Sequence, residues 1–226
     1  MTVRTGRVVS VNVGVPRVVE WHGREVESAI WKSPVDGRVA VRGVNLGGDA
    51  QADLRVHGGP DKAVYAYAVE DYAWWSDERG RDLGPATFGE NLTVEGLDLN
   101  AMLIGTRWSI GDVELEVAQP RQPCFKLGMR MGDAAFVDVF DGAERFGAYL
   151  RIVQEGDVGA GDAIEVTARE DVVPALPPGT GITVRELGAA GNDPPRAFLD
   201  RIVDDPLVPD GWREWAERHL RRARDD

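Results

Sequence analysis

From Val3 to about Glu170 the chain is written in short β-branched runs cut by Gly and Asp. Such a pattern favours many short strands over long helices. Val8–Val13, Arg38–Val41, Asn91–Val94, Arg107–Ile110 and Val113–Val117 are expected strands, and Tyr149–Val153 and Ala163–Val166 add two more. Gly111-Asp112 sits between two of these runs and has the residue types of a tight hairpin turn. The expected fold class is mainly β with helical insertions, built as a barrel or sandwich. Two insertions stand out. Val64 to Glu78 spaces Tyr65, Val69, Tyr72 and Trp75 near helical period, and Asp133 to Phe140 is a short amphipathic piece.

The pattern changes after Glu170. Val173-Pro174-Ala175-Leu176-Pro177-Pro178-Gly179 resists both helix and sheet, so residues 171–180 are expected to link a β domain at 1–170 to a small unit at 181–226. Three short helices are expected in that unit: Val184–Leu187, Arg196–Val203 and Gly211–Arg222. Asp193-Pro194-Pro195 is a start signal for the second. A unit this small needs a surface to pack against, either the β domain or a partner.

A net charge of −12 repels phosphodiester backbones, and no basic patch is visible, so stable nucleic-acid binding is not expected. A few focused cations can still hold a small anion in an acidic protein. The lone cysteine, Cys124, forms no intrachain disulfide, which suits a reducing cytoplasm. The N-terminal sequence lacks a secretory pattern, and no segment is apolar for long enough to span a bilayer, so a cytoplasmic location without membrane attachment is expected.

Lys32, Lys62 and Lys126 are the only lysines among 26 basic residues. A lysine kept against so strong an arginine bias marks positions where a compact ammonium is wanted, or it is chance. Each lies in an unusual segment. Trp31-Lys32-Ser33-Pro34 sets a point charge beside a hydroxyl, a pair that suits a phosphate, although a solvated lysine at a strand end explains it better in isolation. His57-Gly58-Gly59-Pro60-Asp61-Lys62 combines paired glycines with both charges and can cradle an anion; as an isolated motif it reads more simply as a turn. Asn91, in Phe88-Gly89-Glu90-Asn91-Leu92, has both a donor and an acceptor for a heterocycle. Cys124 follows Pro120-Arg121-Gln122-Pro123, a stiffened segment. From position alone a packed thiol and a positioned ligand or nucleophile are equally good readings. Closed zinc sites, nucleotide-binding glycine loops and iron–sulfur clusters have no signature here. A Cys124–His57 hydrolase dyad stays formally open.

Taken together, Lys32-Ser33-Pro34-Val35, Gly48-Asp49-Ala50-Gln51-Ala52-Asp53, His57 to Tyr65, Phe88 to Leu92 and Pro120 to Leu127 resemble, in that order, the MOSC-domain proteins of the YiiM-like branch. The tail resembles the small three-helix domain that follows MOSC in that branch. The resemblance implies a β-barrel-like domain that binds a molybdenum–pterin cofactor and reduces N-hydroxylated bases such as 6-N-hydroxylaminopurine. It makes Cys124 the thiolate ligand of the metal, in keeping with the softness of both. It puts Lys32 and Ser33 near the cofactor phosphate, with Asp61, Lys62 and Asn91 around the cofactor and Arg121 as a further contact. His57 becomes the natural proton donor. An external flavoprotein electron donor is implied, and a homodimer is compatible with the family. The alternative keeps the fold and makes Cys124 a persulfide carrier, or the protein a carrier of the cofactor. The pyridoxal-phosphate desulfurase portion of the sulfurase relatives has no room in this chain.

Overall fold

The computed structural model describes residues 4–50, 58–173 and 180–225. Its centre is a closed barrel of seven strands: β1 (Arg4–Val13), β7 (Val64–Ala68), β8 (Leu92–Glu95), β9 (Arg107–Ile110), β10 (Val113–Pro120), β11 (Ala148–Gln154) and β13 (Ala163–Thr167). Around the barrel they run β13-β9-β10-β11-β7-β8-β1, and β1 pairs back onto β13 through Arg4↔Val166 and its neighbours. Every pairing in the barrel is antiparallel except β7 with β8. Closure leaves no open edge to template aggregation.

Smaller elements decorate this frame. β4 (Ser33–Pro34) adds to the end of β1, β5 (Arg38–Arg42) and β6 (Asn45–Leu46) form a small sheet with β12 (Gly156–Gly159), and β2 (Arg17–Trp21) and β3 (Arg24–Ser28) make a separate hairpin. His22 and Gly23 turn that hairpin, both at positive φ, as a two-residue turn requires. Ile110 pairs with Val113, so Gly111-Asp112 is the tight turn read from the sequence.

The helix expected from Val64 begins five residues later. Val64–Ala68 is the strand β7, and α1 spans Val69–Arg79, ending on Gly80 in the left-handed region. All five residues of β7 are buried, so the strand shows no alternation of polar and apolar positions. Its Tyr65 therefore falls in step with Val69, Tyr72 and Trp75, a helical stripe that starts only with α1. Tyr72 and Trp75 of α1 pack into an aromatic cluster with Phe88 and Phe140; the Trp75 and Phe140 rings lie 4° from parallel at 5.8 Å. A second helix, α2 (Phe125–Met131), precedes α3 (Phe136–Gly142), which starts three residues after the expected Asp133. Asp133 instead accepts a hydrogen bond from the Ala135 N–H (3.0 Å) in the turn before it.

Of the expected linker at 171–180, Asp171 and Val172 lie in the short helix α4 (Arg169–Val172), and residues 174–179 lie outside the described residues. The chain then pairs with the barrel's long loop: Ile104 N–H donates to Ile182 O (2.9 Å) and Val184 N–H to Met102 O (2.9 Å). Helices α5 (Val184–Gly188), α6 (Arg196–Asp204) and α7 (Asp210–Asp225) occupy the three expected places. Thr183 and Glu186 form a reciprocal capping box on α5 (Glu186 N–H to Thr183 Oγ1, 3.0 Å). Ile182, Leu187, Leu199, Ile202 and Ala216 join the same apolar core as the barrel residues, so the tail packs on the barrel. No helix among the described residues is long and apolar enough to cross a membrane.

Candidate functional site

The barrel register sets one mouth of the site. Tyr149 at the start of β11 pairs with Tyr65 of β7 on one side and with Gln119 of β10 on the other, so β10 delivers Arg121 and Cys124 just past this line. A cavity opens there. Lys32, Lys62, Lys126 and Arg121 line it together with Cys124 and, among the described residues, a single carboxylate, Asp49. All three lysines of the chain thus meet in one place, from segments far apart in sequence.

Asp49 organises one wall. Its Oδ1 accepts from the Gly14 N–H (2.8 Å) and forms a close ion pair with the nearly buried Lys32 ammonium; its Oδ2 accepts from Asn91 Nδ2 (2.9 Å). Burial pulls the Lys32 pKa down, and Asp49 works against that shift. Asn91 is equally committed: its Oδ1 accepts from the Tyr65 N–H (3.1 Å) and its Nδ2 also reaches Asn12 O (3.3 Å). Asn91, expected around the cofactor, lines the cavity with one lone pair of its Oδ1 left over, and it also ties β7, β1 and Asp49 together at the wall.

Arg121 is different. It is buried, donates to the Phe88 carbonyl (2.7 Å), and has its guanidinium 5.3 Å from the Tyr65 ring. Among the described residues no carboxylate forms an ion pair with it. Burial drives the Tyr65 and Tyr149 phenols up, so neither supplies a negative charge. A buried cation that finds no carboxylate among the described residues is costly, and this one faces a cavity. Arg121 and Lys62 both lie within electrostatic reach of Cys124. Burial lowers the Lys62 pKa, opposed by Asp61 and Cys124.

Cys124 is half-buried at the N-cap of α2, with extended backbone and no capping bond from its side chain. Gly89, which also lines the cavity, sits at φ +79°, and a Cβ there would lie 2.7 Å from Ile30 Cγ1. Glycine is what lets that loop pass. Next to it Glu90 is fully buried, accepting from the Tyr72 hydroxyl (2.7 Å), the Ala86 N–H (2.6 Å) and the Thr93 hydroxyl (2.8 Å). Burial raises its pKa despite those bonds. The folded chain therefore holds this proton more tightly than the unfolded chain. That stabilisation is complete below the ordinary glutamate range and is lost as pH rises through the raised value. Glu90→Gln cannot titrate, so its stability relative to wild type is expected to improve as pH rises above the ordinary glutamate range and to level off once the raised carboxyl has ionised, as read by urea unfolding. A difference that does not change with pH would refute the raised carboxyl.

The remaining expected residues fall elsewhere. Ser33 is exposed on β4, outside the cavity lining. The Asp61 carboxylate is drawn to Arg151, which also donates to Glu116 Oε1 (2.8 Å), so Asp61 lines a neighbouring groove. His57 lies outside the described residues. Asp49, Tyr65, Tyr149 and Lys126 line the cavity without having been assigned roles from sequence. The arginine-for-lysine bias had already singled out Lys126; Asp49 lay inside a quoted motif, but its pairing with Lys32 spans 17 positions and leaves no local signal.

The MOSC domain model matches residues 53–165. An uncharacterized Bacillus subtilis protein, YflK, is 35% identical over 91% of this chain and 90% of its own length. Escherichia coli YiiM is 34% identical over 63% of this chain and 65% of its own length. A Gibberella moniliformis protein named Reductase is 33% identical over 65% of this chain, which spans 27% of that longer protein. The crystal structure of YiiM from Geobacillus stearothermophilus superposes with a TM-score of 0.75 at 28% identity, covering 95% of this chain and 99% of that one. The chain belongs to the MOSC-domain family, in its YiiM-like branch.

Proposed function

We propose that this chain is an oxidoreductase that holds a molybdenum–pterin cofactor and reduces N-hydroxylated bases, 6-N-hydroxylaminopurine among them, to amines. The observation that carries this reading is the meeting of a half-buried thiol with a buried Arg121, which forms no ion pair with a carboxylate among the described residues, and three lysines in one cavity. That donor set fits the cofactor: a soft thiolate for a soft metal, and cations for a phosphate. Among the described residues no cluster of three or more His, Cys, Asp or Glu side chains could hold a metal, so Cys124 suits a metal whose other ligands arrive with the cofactor. The fungal relative named Reductase and the MOSC family itself agree with redox chemistry.

When bound, the cofactor supplies the two-electron chemistry that takes oxygen from N–OH and gives it up as water. The protein supplies placement. Arg121, Lys62 and Lys126 would hold the phosphate, Cys124 would ligate the metal, and the Lys32–Asp49–Asn91 strut would keep the wall from collapsing around them. His57 is assigned the proton transfer on its chemistry alone. One cysteine cannot carry an iron–sulfur cluster, so electrons arrive from an external flavoprotein. Cofactor-loaded protein given a chemical reductant is expected to convert 6-N-hydroxylaminopurine to adenine, and given pyridine nucleotide alone to do nothing. Bound cofactor with no reduction, or a persulfide on Cys124 by mass spectrometry, would replace this reading with that of a carrier.

A further inference from the structure

Beside the cavity runs a groove between the barrel and the tail. Helix α7 lines it with Trp212, Trp215 and Arg218, three residues apart and so on one face of the helix. The two indole rings meet edge to face, with centroids 5.5 Å apart. The other wall is the Gly58-Gly59-Pro60 turn, and Gln119 and Gln122 complete the lining. Lys62 lines both this groove and the cavity that holds Cys124, so the two spaces adjoin.

The walls are fixed from behind. Trp212 Nε1 donates to Gln119 Oε1 (2.9 Å), and Gln119 Nε2 donates to the Asp61 carbonyl (3.1 Å). The Asp61 carboxylate is paired with Arg151, whose guanidinium also reaches the Leu207 carbonyl (3.4 Å) just before α7. Barrel, turn and tail are thereby locked around one opening. Trp215 is left as the exception. Its ring is half-buried, packed against the His219 ring (centroids 4.4 Å apart) as well as Trp212, and among the described residues its indole N–H makes no hydrogen bond, so that ring edge and its remaining face are left to the groove. An indole face and N–H beside a proline and a primary amide match a flat ring with polar edges far better than a flexible aliphatic chain.

We infer that this groove binds the planar heteroaromatic ring of the substrate, stacked on Trp215 with its polar edge towards Gln122, so that the ring's N-hydroxy substituent points past Lys62 to the cavity. The tail then has a function, supplying one wall of the substrate site. The inference rests on the proposed reductase reading for its substrate, but the binding itself can be measured without turnover.

Two measurements test it. Adenine titrated into the purified chain should quench tryptophan fluorescence, and Trp215→Leu should weaken binding about tenfold in isothermal titration, whereas Trp215→Phe, which keeps an aromatic face, should weaken it only a few-fold. In cofactor-loaded protein Trp215→Leu should raise KM for 6-N-hydroxylaminopurine about tenfold with kcat little changed, the loss expected for one base–aromatic stack. N-hydroxyurea, which has no ring, should show no change in KM. If the leucine variant fails to fold, the phenylalanine variant still discriminates by a KM raised a few-fold for the purine alone. Purine binding and KM equal to wild type in the folded variants would overturn the groove. Trp215-dependent purine binding without any reduction would leave the groove standing and remove the reductase.

Discussion

Cys124→Ser is expected to lower N-hydroxylaminopurine reduction by about 100-fold or more, since even the outer partners of a metal ligand commonly cost 10–100-fold when removed. The size of the effect follows from chemistry rather than from packing. Serine replaces sulfur by an oxygen that does not ionise at neutral pH and is a poor match for a soft metal. The fold has no reason to suffer. Cys124 caps α2 without a side-chain capping bond, and serine is among the favoured residues at that position. Unchanged thermal melting alongside lost turnover is the expected pair of results. Turnover within a few-fold of wild type would remove Cys124 from the metal.

The largest effect on stability is expected at Asp205→Ala. Arg169 is almost wholly buried and makes a two-pronged pair with Asp205, at 2.8 and 3.0 Å. This pair joins α4 to the loop between α6 and α7, across the expected linker. Asp205 Oδ1 also accepts from the Leu207 N–H (3.0 Å), which holds that loop. Gly181 leaves room for the guanidinium, because a Cβ there would fall 2.4 Å from Arg169 Nη1. Removing the carboxylate strands a buried charge, at a cost of about 3–5 kcal/mol. For a chain of this length that lowers Tm by on the order of 10 °C. Replacing both partners, as Arg169→Met with Asp205→Leu, is expected to recover most of the loss, because the stranded charge is then gone. Calorimetry on the three proteins checks this; a single variant as stable as wild type would contradict it.

Much of the barrel was legible because its strands are short, β-branched and cut by turn residues. Arg107–Ile110, Gly111-Asp112 and the run from Val113 show this best, since a two-residue turn fixes register by itself. β7 was not legible. A strand buried on both faces loses the alternation that marks a strand, and its Tyr65 falls into phase with the helix that follows. The β2–β3 hairpin escaped for the opposite reason, being mostly exposed or half-buried with no continuous apolar face.

At the site, the rare lysines were the strongest chemical signal, and the fold brings all three to one cavity. Sequence neighbours were a poorer guide. Lys32 and Lys62 line the cavity while Ser33 and the Asp61 carboxylate beside them do not, because adjacent side chains leave the backbone in different directions. Asn91 was read as a ligand contact because an amide can donate and accept. Its partners, Tyr65 and Asp49, are distant in sequence, and only the fold reveals that they engage both amide protons and one lone pair while the side chain still lines the cavity.

The central claim is that Cys124 and Arg121 share a pocket for one metal-bearing, phosphorylated cofactor. Molybdenum and pterin analysis of the chain after exposure to the isolated cofactor tests it most directly. The account predicts stoichiometric molybdenum and pterin in wild type, with molybdenum lost from Cys124→Ser and both lost from Arg121→Ala. Neither metal nor pterin retained by the folded wild-type chain would contradict it.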